Sequence, residues 1–134
     1  MSLWLLDTNV LSDLIRDPAG PAARRLAEEG EEAVATSVIC AAELRYGVER
    51  RGSARLAARV EALLGALTVL PLEAGAAAAY GRLRAALEAA GTPIGGNDML
   101  IAAHALATGR AVATGNLREF TRVPELEVAD WSAG

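Results

Sequence analysis

The chain reads as an α/β fold, a parallel sheet with helices on both faces. Three observations predict it. Short apolar runs of strand length recur at residues 3–6, 33–36, 67–70 and 111–114, without the in/out alternation of a sheet that is wet on one face. Between them lie stretches long enough for helices, so successive strands are joined by crossovers and run parallel. The first run stops on Asp7-Thr8-Asn9, which puts a carboxylate at the carboxyl end of a strand, the edge where open parallel sheets bind ligands.

The elements follow in order. After strand 3–6, Val10, Leu11, Leu14 and Ile15 mark a helix over about 9–16 that Asp7 or Thr8 is placed to cap. Pro18-Ala19-Gly20-Pro21 breaks it, and a second helix covers about 22–30. The acidic cluster Glu28, Glu29, Glu31 and Glu32 reads as a solvated helix end and turn. Strand 33–36 leads to Ser37, a good N-cap for a helix ending near Arg51. Gly52-Ser53 separates it from a helix over about 54–65, and strand 67–70 ends at Pro71. A long Ala-rich helix fills about 73–90, a loop covers 91–96, and Asn97 opens a helix to about Thr108. Strand 111–114 follows, with residues 126–128 as a short edge strand.

Composition bounds the class. At 134 residues the chain is long enough for one domain, residues 1–134, that buries roughly two-thirds of its unfolded surface. Hydrophobic residues make up 52%, yet no run approaches the roughly 18 residues of a membrane span. The first residues lack a basic region and a small-residue cleavage site, so a cytoplasmic protein is expected. A single cysteine, Cys40, allows neither an intramolecular disulfide nor a thiolate zinc site. All 13 basic residues are Arg, and the net charge of -4 argues against nucleic-acid binding by bulk electrostatics. The absence of Lys excludes a phosphoacceptor receiver domain, which would also gather acids at a sheet edge. A phosphohydrolase with Asp7 as nucleophile would want a second Asp where Asn9 stands.

Three acids stand out by the faces they occupy. Glu43 shares a helix face with Ile39, Cys40, Tyr46 and Gly47. Asp98, in a first helical turn, points with Ile101, Ala102 and Ala105. An ion pair or a helix N-terminus explains either one alone. Carboxylates that reach one sheet edge from separate segments need a cation to stay ionised together, and a bound metal is the economical explanation.

Asp7-Thr8-Asn9, Ala41-Ala42-Glu43-Leu44 with Tyr46-Gly47, Asn97-Asp98 through Ala105, and Ala113-Thr114-Gly115-Asn116-Leu117-Arg118-Glu119-Phe120 followed by Arg122-Val123-Pro124 and Asp130-Trp131 together resemble the PIN-domain ribonucleases, specifically VapC-type toxins of toxin–antitoxin systems. The resemblance covers essentially the whole chain in order and spacing. It implies a three-layer α/β/α fold with a four- or five-stranded parallel sheet, Mg2+ or Mn2+ as cofactor, RNA as substrate, a small VapB-like antitoxin as partner and a homodimer. It implies a 5'-phosphate and a 3'-hydroxyl as products. Asp7 and Asp98 are then the first metal ligands, with Glu43 binding directly or through water. Thr8, Asn9, Ser37, Asn97, Thr114 and Asn116 are candidates to support the ligands or contact RNA. The family's fourth acid falls on Glu119 or is replaced by Asn116, and Asn116-Leu117-Arg118-Glu119 also matches a capping box. The alternative to an enzyme is a degenerate PIN domain that only binds its partner, against which the intact Asp7, Glu43 and Asp98 speak.

The remaining conspicuous residues are expected to be structural. His104 lies well around the helix from Asp98, and Trp4 and Trp131 are expected to pack. Arg45, Arg50, Arg51, Arg55 and Arg59 form either a solvated face balanced by Glu49 and Glu61 or a patch for RNA phosphates or an acidic antitoxin.

Overall fold

The computed structural model describes residues 2–132. Its elements are β1 (Trp4–Leu6), α1 (Thr8–Arg16), α2 (Pro21–Glu29), β2 (Val34–Ser37), α3 (Val38–Arg51), α4 (Ala54–Ala66), β3 (Thr68–Leu70), α5 (Ala74–Ala89), α6 (Gly96–Ala107), β4 (Ala111–Thr114), α7 (Leu117–Phe120) and β5 (Val128–Asp130). The five strands form one parallel sheet in the order β3-β2-β1-β4-β5. Every residue of β1, β2 and β4 is buried, so both faces of the sheet's centre are covered and the architecture has three layers. The outer strands β3 and β5 are only partly covered.

The strand order positions the site. From β1 the chain builds outward through β2 to β3, then α5 and α6 carry it back to β4 on the other side of β1. Strand order reverses between β1 and β4, and the crevice beyond their carboxyl ends is where such sheets bind ligands. The Asp7 N–H donates to the Ala113 carbonyl at 2.9 Å, so the sheet's hydrogen bonding extends to the rim of that crevice.

Local chemistry explains the helix boundaries. Asp7 caps α1 by accepting the Thr8 N–H, Ser37 caps α3 through Ile39, and Ser53 caps α4 through Leu56. Gly52 ends α3 at φ 64°, a left-handed conformation that disfavours a side chain.

Three boundaries differ from the sequence expectation. Residues Glu31–Ala33 form a 3-10 turn, so β2 starts at Val34 and runs through Ser37. The edge strand lies at Val128–Asp130 rather than 126–128, because the Leu126 N–H bonds back to Val123 and holds the preceding residues in a turn. Pairing then continues until the Trp131 N–H reaches the Thr114 carbonyl. The single-turn α7, which no periodicity announces, is anchored by the buried Phe120. Among the described residues no helix is long and apolar enough to cross a membrane.

The two tryptophans join the chain's ends. Their ring centroids are 5.3 Å apart, and the Arg25 guanidinium lies over both, 5.5 Å from Trp4 and 5.4 Å from Trp131. Glu29, expected to be merely solvated, accepts from Trp4 Nε1 at 2.8 Å and Arg25 Nε at 3.1 Å. These donors hold its carboxyl below the usual range. Because Trp131 is buried, Trp131→Ala is expected to cost about 3–5 kcal/mol in urea denaturation, and a loss under about 1 kcal/mol would show that the tail is not part of the core.

Candidate active site

Asp7 is the floor of the crevice. It is only 4% exposed, and burial pushes its carboxyl above the usual range, with the charges of Glu43 and Glu119 pushing the same way. Two hydrogen bonds oppose that shift. Thr114 Oγ1 donates to Oδ2 at 2.8 Å, and the Thr8 N–H donates to Oδ1 at 2.7 Å. Asp7 is therefore both the cap of α1 and a candidate ligand, since the two roles use one side chain.

The flanking residues hold the other acids. Thr8 Oγ1 donates to Glu43 Oε1 at 2.5 Å, linking the start of α1 to the middle of α3. Asn9 Oδ1 accepts the Gly115 N–H at 2.9 Å, and Thr114 Oγ1 accepts the Asn116 N–H at 2.8 Å. These bonds pin the turn after β4, from which Glu119 reaches back towards α6. The Gly95 N–H, just before α6, donates to Glu119 Oε2 at 3.5 Å.

Asp98 and Glu119 share a hydrogen bond that favours protonation of Asp98. Burial, that bond and the charges of Asp7, Glu119 and Glu43 push Asp98 up to about 7. The bond to Asp98 is also the main cause that keeps Glu119 below the usual range, with Gly95, Arg122 and the Asn116 side chain acting in the same direction. The Asn116 N–H is taken by Thr114, so the capping box does not form, and α7 has no side-chain cap.

Several expected neighbours lie elsewhere. Ser37 is buried, with its hydroxyl engaged by Ile39 and His104 rather than by a carboxylate. Asn97 is exposed beside Asp98. Tyr46, expected on the covered face with Glu43, is 65% exposed. Glu43 faces a groove of about 330 Å³ instead, lined by Thr8, Ile15, Leu44, Gly47, Leu56 and Val60, with Arg16 and Arg51 also on its wall. Of the arginine cluster, Arg45 pairs with Glu61, while Arg50, Arg55 and Arg59 are exposed. Cys40 lies beneath the site, and burial pushes its thiol up to about 12, which leaves it inert as a nucleophile.

The donor set suits a hard divalent cation. It is made of oxygen atoms, and no basic residue is among the groups acting on Asp7 or Asp98. Among the described residues no group of three or more His, Cys, Asp or Glu side chains is gathered closely enough to hold a metal ion. Mg2+ needs no such group, because one or two carboxylates with water and substrate phosphate suffice.

The electrostatics give a test without substrate. Folding raises the Asp98 pKa from 3.8 to about 7, so across that window the folded chain binds more protons than the unfolded one. Stability contributed by this group therefore falls as pH rises through the window. In metal-free buffer the melting temperature of Asp98→Asn, relative to wild type, is expected to climb between about pH 4 and about pH 7. A difference that stays flat with pH would remove the crowding.

Comparisons with known proteins agree with this fold. The PIN domain family model matches residues 4–126. The chain is 36% identical over 132 residues to the tRNA(fMet)-specific endonuclease VapC of Salmonella typhimurium, covering 98% of this chain and 99% of that protein. The crystal structure of DNA-bound VapBC from Salmonella typhimurium superimposes with a TM-score of 0.89 at 36% identity, over 98% of this chain and 99% of that one. VapBC2 from Rickettsia felis, bound to a DNA fragment from its promoter, superimposes with a TM-score of 0.86 at 32% identity, over 96% and 98% of the two chains. The chain belongs to the PIN-domain family, on its branch of VapC ribonucleases.

Proposed function

We propose that the chain is a Mg2+-dependent endoribonuclease, with Mn2+ as an alternative ion, that acts as a cytoplasmic toxin and is neutralised by a small VapB-like antitoxin. The observation that carries the reading is the gathering of Asp7, Glu43, Asp98 and Glu119 at one crevice, where Asp98 feels the charges of Asp7, Glu119 and Glu43, and Asp7 feels those of Glu43 and Glu119. Relatives named as ribonucleases and as a tRNA(fMet)-specific endonuclease support RNA, transfer RNA included, as the substrate.

In this reading Asp7 and Asp98 hold the cation, with Glu43 and Glu119 completing its surroundings directly or through water. A cation held there would supply charge to neutralise the scissile phosphate and to lower the pKa of the attacking water. Glu43, steadied by Thr8, orients that water and accepts its proton. Thr114 favours the ionised form of Asp7 by donating to Oδ2, against the burial that raises its carboxyl. The proton shared by Asp98 and Glu119 would be lost to bulk solvent if both carboxylates were to hold a cation. Hydrolysis leaves a 5'-phosphate and a 3'-hydroxyl.

The antitoxin is proposed to lay an apolar segment in the groove lined by Ile15, Leu44, Leu56 and Val60 and to extend a basic side chain past Glu43 to the carboxylates. Solved VapBC neighbours support such a partner. The exposed Val38 and Leu72, with the Ala-rich outer face of α5, suit a second copy of the chain in a homodimer.

Two measurements test the reading. Chain freed of antitoxin is expected to cut transfer RNA or single-stranded RNA in Mg2+ and to stop on addition of EDTA. Asp7→Asn should lower the rate by more than about a hundredfold, the equivalent of several kcal/mol of lost charge stabilisation. A folded wild-type chain that cuts no RNA but still binds its antitoxin would instead be a binding module. For the groove, Leu56→Asp is expected to leave cleavage intact and weaken inhibition by titrated antitoxin roughly 30-fold. Unchanged inhibition would place the partner on another surface.

A further inference from the structure

His104 is a buried polar side chain that this chemistry leaves unused. It is 1% exposed and lies on α6, six residues after Asp98. Its Nδ1 is 2.7 Å from Ser37 Oγ, and the same oxygen accepts the Ile39 N–H at 3.1 Å as the cap of α3. With its oxygen accepting from Ile39, the Ser37 hydroxyl needs an acceptor of its own. Nδ1 fills that need, which assigns the ring hydrogen to Nε2. The His104 side chain borders a cleft of about 300 Å³ with Pro71 and Glu73 on its wall, and Nε2 is itself buried. The Pro71 carbonyl faces it outside good hydrogen-bond geometry.

Among the described residues, this is the side-chain hydrogen bond that joins α6 to the junction of β2 and α3. Glu43 stands six residues after Ser37, as Asp98 stands six residues before His104, so each carboxylate is about 9 Å along its helix from the bond. The rest of the buried surface of α6 is Ile101 and the small side chains of Ala102, Ala103 and Ala105. Ile101, with Met99 and Leu106 partly buried beside it, packs without directional preference, which does not fix the helix against sliding or rotation. A polar contact of fixed length does.

We infer that His104 is a positioning residue: through Ser37 it clamps α6 to the start of α3 and so sets the separation of Asp98 and Glu43 that a divalent cation requires. The inference rests on the metal-dependent reading above. It assigns His104 no contact with substrate or ion. Its influence is that of a partner behind the ligands, where substitution typically changes metal affinity 10- to 100-fold.

The test is Mn2+ binding by calorimetry on the full chain without partner, with the folded fraction measured by circular dichroism. His104→Leu fills the space without an acceptor and is expected to weaken Mn2+ binding about tenfold or more per folded molecule. His104→Asn puts an amide oxygen near the position of Nδ1 and is expected to recover most of that loss. Ser37→Gly breaks the same bond at a position where Gly is tolerated as a cap, and it carries the test if His104→Leu fails to fold. The double variant should bind no more weakly than either single one, because both remove one interaction. Variants that melt earlier but bind Mn2+ like wild type overturn the inference, as does an Asn variant no better than Leu. Wild type that binds no Mn2+ overturns the metal reading and the inference with it, whereas normal wild-type binding with unaltered variants overturns the inference alone.

Discussion

The repulsion among carboxylates at one crevice is the constraint on which the site depends. Asp7 is driven there by the strand order, since it follows the central strand next to the reversal between β1 and β4. Burial there works against its charge, and the hydrogen bonds from Thr114 and Thr8 act against that burial. The other acids arrive from α3, α6 and α7, so the sheet alone fixes none of them. Thr8 holds Glu43, and Gly95 and Asn116 act on Glu119. Without a cation the strain is relieved where it is cheapest, by a proton on Asp98.

Stability elsewhere is arranged to leave that edge polar. Apolar burial is concentrated in the sheet and in α1, α3, α5 and α6. The Trp4 and Trp131 contact, covered by Arg25 and braced by Glu29, fastens the last described residues to the first strand. The β4–β5 edge, and with it the turn that carries Glu119, is thereby held against the centre of the sheet.

Much of the fold was legible because the strands are covered on both faces and read as plain apolar runs, with Ser37, Gly52 and Ser53 marking helix ends. The 3-10 turn at Glu31–Ala33 and the shifted β5 depend on backbone bonds that no side-chain period records. The candidate acids Asp7, Glu43 and Asp98 stood out by position and Glu119 only by resemblance, and in the structure Glu43 and Glu119 act on both Asp7 and Asp98. Helical spacing could not say which part of a face is open: Tyr46 shares the side of Glu43 yet stands in solvent. Nor could spacing pair Ser37 with His104 or Glu29 with Trp4, because those contacts join segments 67 and 25 residues apart. The capping box at Asn116 failed because Thr114 competes successfully for the same N–H.

The claim that these carboxylates exist to hold a divalent cation is tested most directly by anomalous diffraction from crystals of the chain grown with Mn2+. The account predicts a manganese peak in the crevice, ligated by Asp7 and Asp98, with Glu43 or Glu119 at direct or water-mediated distance. A crevice without manganese, in crystals where no lattice contact covers it, would contradict the account.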